Sequence, residues 1–154
     1  FYYKIACLYF GSGNNSKAID YLNRIIHQKD DLRTDLQSYS RLLHLIAHYE
    51  LGNYNLLEYL IKSVYRYMAK MENISKVEEA MLKFLKNSLN FNTKTIKPEF
   101  EKLLHQLKKY QGNRLESRAF AYLDVISWLE SKIYGLNVQD VIRQKYLKDK
   151  GKKG

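Results

Sequence analysis

Apolar residues recur every three or four positions along nearly the whole chain, the spacing that lines one face of an α-helix. Phe100, Leu103, Leu104, Leu107 and Tyr110 keep that rhythm, with Glu101, Lys102, Lys108 and Lys109 on the opposite side. Leu57, Leu60, Ile61, Val64, Met68 and Met71 do the same earlier in the chain. No stretch alternates apolar and polar residues over the length of a strand. A single proline, Pro98, and seven glycines leave few of the tight turns that an all-β chain requires. The pattern predicts an all-α fold.

Helix-start chemistry divides the pattern into elements. Asn53 follows Gly52 as an N-cap after a helix-ending glycine, and Asn137 follows Gly135 in the same manner. Ser75 with Glu78, and Asn113 with Glu116, have the spacing of a capping box. Pro98 suits the first turn of a helix beginning at Thr95 or Lys97. Eight helices follow, in about four antiparallel hairpins: 2–11 with 15–28, 32–51 with 54–71, 75–90 with 97–110, and 114–134 with 138–148. Helix 114–134 carries apolar residues on more than one side (Leu115, Tyr122, Ile126, Leu129 and Ile133, then Phe120, Val125 and Trp128), which predicts a helix sandwiched between neighbours.

Composition narrows the class. At 154 residues, with 45% hydrophobic and 27% charged residues, the chain fits one folded domain rather than a disordered segment. No stretch approaches the roughly 20 apolar residues that span a bilayer. No leader peptide is recognisable, and Cys7 stands alone, so a reducing, cytoplasmic setting is expected. Phe1 falls inside a helical pattern, from which a piece of a longer protein is expected. The net charge is +10, and it is uneven: from Arg143 onward Lys145, Lys148, Lys150, Lys152 and Lys153 face only Asp149. Residues 1–142 read as the folded domain and 143–154 as a basic tail that ends the last helix and is disordered.

Gly13 and Gly52 each sit in the middle of a hairpin, 39 residues apart. Ala18, Leu22 and Ile25 follow the first, and Leu57, Ile61 and Val64 follow the second with the same 4-then-3 spacing. Within the first unit, Tyr2, Ile5, Ala6, Tyr9, Gly13, Ala18, Leu22 and Asp30 stand at the spacing of the tetratricopeptide repeat (TPR), which this segment resembles. The second unit offers Arg41, His44, Leu45, His48, Leu57 and Ile61 at those positions and has lost the small residues; beyond 71 the likeness is one of helix order. The whole looks most like bacterial TPR-containing proteins described as scaffolds. The resemblance implies a right-handed α-solenoid that binds a peptide or helix of a partner protein on its concave face.

By that resemblance the inner face of each hairpin's first helix is the contact surface: Tyr3 and Phe10 (beside Cys7) in the first unit, and Tyr39, Leu42, Ile46 and Tyr49 in the second. Aromatic and aliphatic residues of this kind recognise an amphipathic segment. The alternative is that other hairpins cover them. The family's carboxylate-clamping branch uses Lys and Asn on this face, where Tyr3 and Cys7 stand instead.

Little here reads as catalysis. His44 and His48 are four apart on one helix, a metal-binding spacing, but no third ligand accompanies them. Cys7 reads as a small packed thiol, and Glu78/Glu79 and Glu99/Glu101 suit helix first turns. The Gly11–Ser12–Gly13 turn lacks the strand and lysine of a phosphate loop. No enzyme activity, metal or cofactor is expected. A nucleic-acid-binding repeat using the basic C-terminal half is the second expectation, and a purely structural end of a longer solenoid the third.

Overall fold

The computed structural model describes residues 1–28 and 33–153, and among these the only regular elements are helices, joined by turns and short irregular segments, with no strand. Asp30 and the expected start of the third helix at 32 lie outside the described residues. The helices are α1 (Tyr2–Gly11), α2 (Asn15–Ile26), α3 (Thr34–Glu50), α4 (Tyr54–Ala69), α5 (Lys76–Ser88), α6 (Ile96–Lys108), α7 (Ser117–Tyr122), α8 (Val125–Tyr134) and α9 (Val138–Lys153).

Local chemistry sets several of these limits. Gly13 and Gly52 take positive φ values of 84° and 74°, a conformation only glycine enters freely, and there α1 folds back into α2 and α3 into α4. Ser75 and Glu78 form the expected capping box: Ser75 Oγ accepts from the Glu78 amide at 3.1 Å, and a Glu78 carboxylate oxygen accepts from the Ser75 amide at 2.9 Å. Asn53 precedes α4 as expected, but its side chain caps nothing; its Nδ2 meets His48 Nδ1 at 3.1 Å.

Asn113 and Glu116 do not form the second expected box. Asn113 Oδ1 accepts from the Leu115 amide at 2.9 Å. The buried Glu116 carboxylate instead accepts from the Lys76 and Val77 amides, at 2.9 and 3.1 Å, and so caps α5 across forty residues of chain.

The long helix expected over 114–134 is two helices. Leu123 is extended (φ −133°, ψ 98°), and Asp124 caps α8 by accepting from the Ser127 amide at 3.1 Å. An aspartate that offers its carboxylate to the backbone competes with helix continuation. The break frees the Tyr122 carbonyl, which accepts from the Tyr3 hydroxyl at 2.6 Å. At the other end, α9 runs as helix through the basic residues to Lys153, past the expected stop at 148.

Along α1 to α5 each helix touches the next, and α3 also touches α1 and α5. The chain then turns inward: α7 lies against α5, α8 against α6 and α9, and α9 returns to α1. One hydrophobic core extends from α1 to α8, with Trp128 its largest fully buried side chain.

Candidate functional site

The six residues expected to line an open groove are gathered on one side of α1 and α3, and all are buried: Tyr3, Phe10, Tyr39, Leu42, Ile46 and Tyr49 are each 8% exposed or less. The chain's own α7 and α8 supply part of their cover. Tyr39 stacks on Tyr122, ring centres 5.6 Å apart and nearly parallel. Tyr49 meets Trp128 edge-on at 5.8 Å, and Trp128 meets Phe100 of α6 at the same distance. Burial pushes the hydroxyls of Tyr39 and Tyr49 up to about 12 and raises that of Tyr3 well above its ordinary value. In this structure the face is core, and the expectation of an open concave surface there is corrected. Tyr122 and Trp128, from the apolar surplus of 114–134, pack against it, whereas Leu115 is 85% exposed.

Two polar ties fasten this cover. The Glu50 carboxylate, at the end of α3, accepts from Trp128 Nε1 and binds Lys132 Nζ at 3.1 Å, while Lys132 lies 5.7 Å over the Tyr49 ring. Asp35, at the start of α3, binds Arg33 at 2.7 Å and Arg118 of α7 at 2.9 Å. Burial alone would raise the Asp35 carboxyl, but these partners and the Leu36 amide hold it below its ordinary value.

His44 and His48 are both 7% exposed and meet edge-on, ring centres 4.5 Å apart. Burial, then the neighbouring His48, His27 and Arg41, lowers His44 to about 4. Among the described residues no group of three or more His, Cys, Asp or Glu side chains is placed to hold a metal ion. The half-buried Cys7 thiol is pushed up to about 11 by burial, so it stays protonated at neutral pH and is a poor nucleophile.

Sequence reasoning did not anticipate three features. A cavity of about 200 Å³ opens where α7 breaks from α8, walled by α1, α3, α8 and α9. A wider cleft of about 510 Å³ lies between the α1–α2 turn, Glu50, Lys132 and the start of α9. Finally, α4 carries a second apolar stripe beside its core face. Leu56, Tyr59, Leu60, Ser63 and Tyr67 follow helical spacing; Leu56 is 46% and Tyr59 65% exposed, and Arg41 lies 4.0 Å over the Tyr67 ring. That stripe was legible as i, i+3, i+4, i+7 periodicity, but it was absorbed into the core face through Leu60.

No family model, curated protein or solved structure matches the chain. Among the described residues no helix is long and apolar enough to cross a membrane.

Proposed function

We propose that this chain is a non-catalytic protein–protein interaction module, a TPR-like helical repeat that docks a helix or peptide of a partner. The observation that carries this reading is the exposed pair Leu56 and Tyr59 on α4, continued at helical spacing by the half-buried Leu60, Ser63 and Tyr67, of which Leu60 and Tyr67 also pack against the core. It has the spacing of helix-in-groove anchors, and tyrosines beside arginines are common in recognition surfaces. The sequential contacts from α1 to α5 and the matching glycine turns at Gly13 and Gly52 support the repeat assignment. The docking surface thus moves from the buried face of α3 to the outside of α4. The single thiol suits a reducing compartment such as the cytoplasm.

The test is capture by the immobilised chain from lysate at about 150 mM salt, with and without nuclease. Protein bands that survive nuclease and vanish with Leu56→Glu and Tyr59→Glu are expected; both positions are exposed, so the fold stands. Bands indifferent to both substitutions would sink the assignment of the surface.

A second reading rests on α9, where Arg143, Lys148, Lys150 and Lys152 all face solvent. As a nucleic-acid contact it would weaken steeply between about 50 and 200 mM salt, whereas the apolar stripe would hold its partner. Nuclease-sensitive capture lost on changing those four to glutamine would favour it.

A further inference from the structure

The 200 Å³ cavity at the α7–α8 break is built like a ligand site. Its wall is Phe10, Leu43, Ile46, Val125, Trp128 and Ile142, of which Ile46, Val125 and Trp128 are each 1% exposed and Leu43 3%. Most of the polar groups near the floor are already committed within the protein. Tyr122 O takes the Tyr3 hydroxyl, Trp128 Nε1 goes to Glu50, and an Asp124 oxygen takes the Ser127 amide. Cys7 contributes a neutral thiol. A buried water needs two to four polar partners, and among the described residues no buried, unpartnered side-chain N or O belongs to this wall. The floor therefore offers a water few polar partners. Apolar cavities of about 150 Å³ walled by Leu, Ile and Phe stay empty of water and bind benzene.

The mouth is as informative as the floor. It lies between Gly11, Ala121, Asp124 and Ile142, with Ala121 and Asp124 exposed and Ile142 37% exposed. Gly11 and Ile142 face each other across it: a Cβ at Gly11 would stand in ordinary contact, 3.6 Å, with Ile142 Cδ1. The entrance is a seam between two ends of the chain rather than a sealed shell, and among the described residues Asp124 is the one charged side chain lining the cavity.

We infer that this cavity binds a small, neutral aromatic molecule of one or two fused rings, entering between Gly11 and Ile142, with any ring N–H turned toward Asp124 at the mouth. The volume admits the rings and little else. The aromatic residues Phe10, Tyr122 and Trp128 among its lining favour a flat guest. The inference does not depend on the protein-binding stripe of α4.

Indole is the probe. Titrated into the full chain and followed by heteronuclear NMR, it should give saturable shifts at Cys7, Ile46, Val125 and Ile142, with Kd at or below about 1 mM. It should also raise the melting temperature and slow alkylation of Cys7. Ile142→Trp and Ala121→Trp, both at partly or fully exposed mouth positions, should fill the entrance and weaken binding at least about tenfold while circular dichroism stays unchanged. If one of them fails to fold, the other decides. Absence of saturable shifts, or binding that persists in a folded entrance-filled variant, would overturn the inference.

Discussion

Neutral when folded, His44 makes stability depend on acid. Its value in the fold is about 4 against an ordinary 6.5, so as pH falls the unfolded chain takes up the proton first. The contribution of the neutral ring is whole above about pH 6.5 and lost progressively toward pH 4. Between pH 7 and 4 the loss attributable to His44 is about 3 kcal/mol. Urea unfolding of the protein and of His44→Gln should show their difference in stability shifting by that amount in favour of the variant; a constant difference would mean that the ring protonates in the fold. Tyr49 belongs to the same scale. With its ring against Trp128 and Phe100, Tyr49→Ala should cost about 3–5 kcal/mol. A variant as stable as the parent would mean the tyrosine is not core. The sequence gives both residues their helical positions, but not their burial; for Tyr49 the cover is Trp128, some eighty residues later.

Elements whose ends are set by neighbours in sequence were legible; those set from afar were not. The Ser75–Glu78 box could be read because both partners lie within one turn. The Glu116 cap on α5 could not, since Glu116 stands equally well spaced from Asn113 and only the fold decides which amides it meets. Glu116→Ala leaves two amides of α5 without their acceptor and should lower stability by about 2–3 kcal/mol, with Glu116→Gln losing less; hydrogen exchange should rise first in the opening turn of α5. Equal exchange in parent and variant would dismiss the cap. The α7–α8 break escaped the sequence for a related reason. Leu123 and Asp124 keep helical spacing with their neighbours, and the extended backbone is favoured by an aspartate cap together with a carbonyl that Tyr3 can reach. The cavity follows from that break, so it was equally illegible.

For the whole molecule, the all-helical class and the first three hairpins followed from periodicity, whereas the inward turn of the last helices did not. Short connections predict neighbours, and a repeat pattern predicts that stacking continues outward. Here α8 and α9 come back over α3 and α1 instead. The return is held by Val141, 6% exposed, and by Lys145, which binds Glu130 at 2.6 Å and Ser127 Oγ at 2.9 Å. Ending the chain after Lys145 should therefore change stability by no more than about 0.5 kcal/mol. Ending it after Asn137 should cost about 2 kcal/mol or more through loss of Val141 burial alone. Equal melting of the two truncations would show that α9 does not bind the body.

The cover over Tyr39 and Tyr49 also has a schedule. A ribosome releases residues 39–49 well before residues 122–134, and at about 5–20 residues per second the interval lasts several seconds. Throughout it, a newborn chain carries an aromatic face with nothing laid over it. Holding that face apart from other nascent chains is a task for the cell's chaperones, and it ends only when Trp128 arrives.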